Sequence, residues 1–131
     1  MAYLIDTNIF IHGRDGTESV LRNFEQHDRS VFLSALSLAE LQRGLMTSSS
    51  ETNLRRERHH TLLKRISVLP FDTSAAEAYG RVLALSKRTK SRDFDHLIAA
   101  HAISVGFILV TNNEADFAGI SGLQLENWTT P

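Results

Sequence analysis

The chain has 131 residues, no Cys, six His and nearly balanced charge, 14 Lys+Arg against 15 Asp+Glu, for a net of −1. That length fits one domain over residues 1–131, with a core that needs neither disulfides nor structural zinc. The composition excludes a disordered chain, a collagen-like chain, a coiled coil and Cys chemistry, and it gives no global pull toward nucleic acid or membrane.

Met1–Asp6 lacks a basic leader, and no apolar run reaches the roughly 18–20 residues of a membrane span. A cytoplasmic protein is the expectation. Tyr3-Leu4-Ile5 reads as a buried strand ending in Asp6. Asp15 to Glu25 carries Val20, Leu21 and Phe24 at helical spacing, after a Gly13…Gly16 break. Val31-Phe32-Leu33 is a second strand, and Ser34 or Ser37 could cap the helix bearing Leu38, Leu41 and Leu45. Ser48–Ser50 interrupt before a charged helix from about Thr52 to Ile66. Val68-Leu69 is a third strand, stopped by Pro70. Asp72 or Thr73 caps a helix running to about Lys87, with Ala75, Ala78, Tyr79, Val82 and Leu85 inward. A basic linker, Lys87–Arg92, leads into a helix from Asp93 to Val105, which Gly106 stops. Phe107–Val110 is a fourth strand and Leu123–Glu126 a fifth. Short apolar strands alternating with amphipathic helices imply an α/β fold around a mostly parallel sheet of four to five strands. The functional crevice of such a sheet lies at the carboxyl ends of its strands.

Most of the acids read as solvated surface. Four do not. Asp6 follows a core run directly. Glu40 lies inside the Leu38/Leu41/Leu45 helix. Asp95 shares a face with Ile98, Ala99 and Ala102, and Asp116 sits between Ala115 and Phe117 after the fourth strand. Each has a structural alternative: Asp6 could cap a helix starting at Thr7, Asp95 could suit a helix dipole, Glu40 could pair with Arg43, and Asp116 could serve a turn. Four acids aimed at one crevice would repel unless a cation screened them, and Mg²⁺ or Mn²⁺ with oxygen ligands meets that need. His59-His60 and His96…His101 have no zinc-site spacing, and neither a phosphate-binding Gly loop nor a Ser-nucleophile elbow occurs.

At these residues the chain resembles the PIN-domain ribonucleases, and within them the VapC-type toxins of toxin–antitoxin pairs. The matching segments are Leu4-Ile5-Asp6-Thr7-Asn8-Ile9, Ser37-Leu38-Ala39-Glu40-Leu41-Gln42-Arg43-Gly44, Asp95-His96-Leu97-Ile98-Ala99-Ala100-His101-Ala102, Leu109-Val110-Thr111-Asn112-Asn113-Glu114-Ala115-Asp116-Phe117, and Gly122–Trp128. The resemblance implies a three-layer α/β/α PIN fold and a Mg²⁺- or Mn²⁺-dependent endoribonuclease that cuts tRNA or rRNA to a 5′-phosphate and a 3′-hydroxyl. It implies catalytic and metal-binding roles for Asp6, Glu40, Asp95 and Asp116, with support from Thr7, Asn8, Thr111 and Asn113. Asn113 stands where many relatives carry Asp. Asp93 is an additional acid, either a helix cap or an outer carboxylate. The resemblance also implies a homodimer and a small antitoxin partner.

RNA needs cations on the protein as well. Arg81, Lys87, Arg88, Lys90 and Arg92 run into Asp93 and Asp95 and are the expected phosphate-contacting rim. Arg55-Arg56-Glu57-Arg58-His59-His60 is a second cluster on the charged helix, either a further phosphate-contacting group or a solvated helix face. Leu41, Leu45, Leu62, Leu63 and Ile66 could form core or an apolar groove for the antitoxin. The alternatives from other classes are a phosphatase- or receiver-like phosphoryl enzyme built on Asp6, and a non-catalytic RNA-binding domain. Against the first, Asp6-Thr7-Asn8 lacks a second Asp, and no Lys follows the fourth strand.

Overall fold

The computed structural model describes residues 1–47, 52–85 and 93–130. Lys87, Arg88, Lys90 and Arg92 of the expected basic rim lie outside the described residues, as do Ser48–Ser50. Five short strands form one sheet: β1 (Tyr3–Ile5), β2 (Val31–Ser34), β3 (Ser67–Leu69), β4 (Ile108–Val110) and β5 (Leu125–Glu126). Their order is β3-β2-β1-β4-β5, and every neighbouring pair is parallel. Six helices connect and cover them: α1 (Thr7–Arg14), α2 (Glu18–Gln26), α3 (Ala35–Thr47), α4 (Thr52–Leu63), α5 (Thr73–Leu85) and α6 (Asp93–Val105).

Strand side chains alternate between two cores, as the pleat demands. Tyr3, Ile5, Val31, Leu33, Ile108 and Val110 face one core, which Ile9 and Phe10 of α1, Val20 and Phe24 of α2, Leu41 of α3 and Leu62 of α4 complete. Leu4 and Leu109 face the other, with Ala78 and Val82 of α5 and Ile98, Ala99 and Ala102 of α6. The result is the expected three-layer α/β/α sandwich, with α1–α4 on one face and α5–α6 on the other.

Local chemistry sets the element ends. Asp6 caps α1 by accepting from the Ile9 N–H at 2.9 Å. Ser34 Oγ accepts from the Leu36 N–H at 3.1 Å, and Asp72 Oδ1 from the Ala75 N–H at 3.0 Å, at the starts of α3 and α5. Gly106, at φ +72°, ends α6 in a paired motif: its N–H reaches the Ile103 carbonyl at 3.2 Å and the Phe107 N–H reaches the Ala102 carbonyl at 3.0 Å.

Three readings of the sequence change here. Leu85, the last residue of α5, is 73% exposed, whereas Ala78 and Val82 of the same stripe are buried. Leu41, Leu45, Leu62 and Ile66 are buried core; of these, Leu41 and Leu62 each reach the lining of a different pocket, so the set forms no continuous apolar groove. The stripes of α3 and α4 are consumed by packing on α1 and the sheet. The charged face of α4 is solvated at Arg56, Glu57, Arg58 and His60, but His59 is fully buried against the Phe10 ring, 5.2 Å centroid to centroid.

Gly13 allows α1 to approach α2 and α4. A methyl group there would strike the Phe24 ring and stand 3.3 Å from Leu62 Cδ2. Phe24 cannot retreat freely because its ring also packs edge-to-face on Trp128, centroids 5.9 Å apart. Gly13→Ala is therefore expected to lower stability by about 1–3 kcal/mol despite alanine's better helix propensity. Urea unfolding measures it.

Candidate active site

In an all-parallel sheet every strand delivers its carboxyl end to the same edge. Asp6 is the first residue after β1, and its backbone N–H still pairs with the Val110 carbonyl of β4 at 3.0 Å. Its side chain turns away to cap α1, and so sits between the strand ends and the helix. Glu40 stands on α3, after β2, and is exposed at the rim. Asp95 lies in the first turn of α6, half-buried beside Ile98.

These three acids line one pocket of about 490 Å³, with Thr7, Asn8, Ile11 and Arg14 of α1, Leu41 and Gly44 of α3, and Phe94 and Ile98 of α6. Burial pushes the Asp6 carboxyl above its ordinary value. The Thr111 hydroxyl, the Ile9 and Asn8 N–H groups and nearby His12 pull the other way without cancelling it. Thr7 Oγ1 is buried with no hydrogen-bond partner. Among the described residues no three Asp, Glu or His side chains are drawn together closely enough to ligate one ion.

Asp116 does not line this pocket. It lies in a 3₁₀ turn after β4 (Glu114–Phe117), where the Asn113 amide donates to its carboxylate. Thr111 links the two regions. Its Oγ1 accepts from the Asn113 N–H at 3.1 Å, and its hydroxyl also bonds Asp6. Asn113, the departure from the usual Asp, thus holds Asp116. Asp93 is the first residue of α6, half-buried and outside the pocket lining. Arg81 is exposed on α5, in a separate hollow of about 130 Å³ with Leu85 and Ile120.

Sequence reasoning misses Arg14. It is the cation in the acidic pocket's lining among the described residues. The signal was available: Thr7, Ile11 and Arg14 follow i, i+4, i+7, one face of α1. The adjacent Asp15 hides it from any search for runs of like charge.

Comparisons with known proteins agree with this fold. A family model described as "PIN domain" matches residues 3–123. The chain is 32% identical to the "tRNA(fMet)-specific endonuclease VapC" of Shigella flexneri, over 98% of this chain and 99% of that protein. It is 34% identical to "Ribonuclease VapC2" of Haemophilus influenzae, over 98% of each. A solved structure of DNA-bound VapBC from Salmonella typhimurium superposes with a TM-score of 0.86 at 28% identity, covering 98% of each chain. The chain belongs to the PIN-domain family and, within it, to the VapC-type ribonucleases.

Proposed function

We propose that the chain is an endoribonuclease that works with Mg²⁺ or Mn²⁺ held by Asp6, Glu40 and Asp95, with Asp116 completing the set. One observation carries this reading: three carboxylates from three separate elements converge on a single pocket at the strand-end edge. The donor set fits a hard divalent ion, since it offers only oxygens. The raised Asp6 and the orphaned Thr7 hydroxyl are groups for which a cation and its ordered waters would supply the missing partners. Such an ion offsets phosphodiester charge and lowers the pKa of a bound water.

The protein's own groups do the rest. The Ile9 N–H holds Asp6 Oδ1 and fixes the carboxylate plane. Asp6, Glu40 and Asp95 together would hold the ion and the water that it activates. Asn113 restrains Asp116, and Thr111 couples that turn to Asp6. Water attacks phosphorus and the P–O3′ bond breaks, leaving a 5′-phosphate and a 3′-hydroxyl, a polarity supported by the family likeness.

The substrate class is tRNA or rRNA, the former supported by the printed name of the Shigella relative. The partner is a small antitoxin, supported by the likeness to a VapBC assembly. The chain acts as a homodimer. Lys87, Arg88, Lys90 and Arg92 remain candidates for RNA contact on charge alone. No helix among the described residues is long and apolar enough to cross a membrane.

The test is cleavage of total tRNA and of rRNA fragments, beside a phosphatase substrate, with Mg²⁺, Mn²⁺ or EDTA. RNA fragments bearing 5′-phosphates in Mg²⁺ or Mn²⁺, and none in EDTA, are the expected result. Undiminished cleavage in EDTA would sink the metal role. Turnover of the phosphatase substrate alone would favour the phosphoryl-enzyme alternative.

A further inference from the structure

Arg14 raises a question that the acids do not answer. RNA brings a negative charge at every nucleotide, and the acidic pocket repels all of them. A metal ion compensates at the scissile phosphate; the neighbouring phosphates need cations of the protein. Arg14 stands in the wall that separates the acidic pocket from a second hollow of about 550 Å³ between α1, α2 and α4. Arg14, Arg58 and Arg65 line that second hollow against the two acids Asp15 and Glu57, so its lining carries more cations than carboxylates.

The state of Arg14 is informative. Its side chain is only 10% exposed, so the guanidinium is held in place and not free in solvent. It forms a forked pair with Asp15, Nε to Oδ1 at 3.0 Å and Nη2 to Oδ2 at 3.5 Å. Asp15 is 55% exposed, and an ion pair with so solvated a partner is readily exchanged. A phosphodiester presents two oxygens in the same forked geometry as the carboxylate.

We propose that Arg14 is a phosphate-binding residue of this site, exchanging Asp15 for the phosphate next to the scissile one. The RNA strand then leaves the acidic pocket over the α1–α4 hollow, past Arg58 and Arg65. This rests on the ribonuclease reading above and adds to it a direction for the strand and a residue that grips it.

The experiment measures binding and cleavage separately. Binding of a fluorescein-labelled single-stranded RNA is followed by anisotropy across a salt series, in a background carrying Asp6→Asn so that the RNA survives. Cleavage kinetics are measured without that background change. Arg14→Ala is expected to weaken RNA binding about tenfold or more, to raise KM more than it lowers kcat, and to flatten the salt slope by about 0.7. Arg14→Lys keeps the charge but loses the fork, and should fall between. Asp15→Asn removes the competitor and should bind RNA more tightly than wild type. Arg58→Ala with Arg65→Ala should flatten the salt slope further and, in a chain that keeps Asp6, should leave Mn²⁺ binding, read by calorimetry, at the wild-type value.

The failures are distinguishable. A wild-type protein that cuts no RNA in Mg²⁺ or Mn²⁺ overturns the underlying reading. A wild type that cuts RNA, with Arg14→Ala and Arg14→Lys both at wild-type Kd, KM and salt slope, overturns this inference alone.

Discussion

Asp6→Asn is expected to abolish RNA cleavage, by at least about a hundredfold, and at the same time to raise the melting temperature of the metal-free protein at neutral pH. Both effects come from one carboxylate. Asparagine caps a helix as well as aspartate, so the bond from the Ile9 N–H and the start of α1 survive. What disappears is a negative charge that burial penalises. Because the folded-state pKa of Asp6 lies above its ordinary value of 3.8, the folded state holds its proton longer than the unfolded chain. Asp6 therefore contributes most below pH 3.8 and costs stability as pH rises through its folded pKa. Removing the charge lifts that cost. Added Mn²⁺ should raise the melting temperature of wild type and leave Asp6→Asn nearly unmoved. A variant that melts below wild type in EDTA would show that the carboxylate supports the fold and not a cation site.

Mild acid should destabilise the protein, with two buried histidines responsible. Burial lowers the pKa of both His59 and His101 from the ordinary 6.5. The unfolded chain takes up their protons first. Stability is then full above pH 6.5 and falls as pH drops below it toward the folded-state values. The two sites differ. His101 Nδ1 lies 2.8 Å from Ser34 Oγ, while its other nitrogen meets the Pro70 carbonyl. It ties α6 to the end of β2 and to the turn after β3, so replacing it should cost stability. His59 has neither ring nitrogen hydrogen-bonded, and lies near His60 and Arg14, both of which resist its protonation. An unsatisfied buried polar group costs about 1–3 kcal/mol, so His59→Leu should stabilise the protein at neutral pH and shift acid unfolding to lower pH. Chemical denaturation at pH 7.5 and 5.5 separates the two: a flat profile between these values would exclude both histidines as the acid-sensitive groups.

The two positions also show what can be read from sequence. Strands and their order of appearance were legible because Tyr3-Leu4-Ile5 and Phe107–Val110 are short apolar runs between polar neighbours. Asp6, Glu40 and Asp95 were legible for the same reason, as acids on or beside apolar stripes that a solvated residue has no cause to join. His59 was not. It sits within a run of charged residues, which masks that it falls in phase with Leu62, Leu63 and Ile66 at i, i+3, i+4 and i+7. Leu85 misled in the opposite sense, since it continues the helical spacing of buried Ala78 and Val82 yet is exposed as the last residue of α5. Asp116 was placed correctly on the loop after β4, but its bond to Asn113 depends on loop conformation, which spacing alone does not encode. Arg14 required knowing that α1 turns one face to the acids.

The central strand has three residues, and its odd and even positions feed different cores. Asp6 comes next in that alternation. The phase of β1 is therefore also the aiming mechanism of the carboxylate. Loss of Leu4 would turn a neighbouring side chain of the strand into the wrong layer and swing the acid off its edge in the same stroke. Damage to this strand cannot leave a folded protein with a slightly misplaced site. Graded tuning of activity must come from elsewhere, from the turn that carries Asn113 and Asp116 or from the rim at Glu40, where side chains can shift without changing the sheet's register.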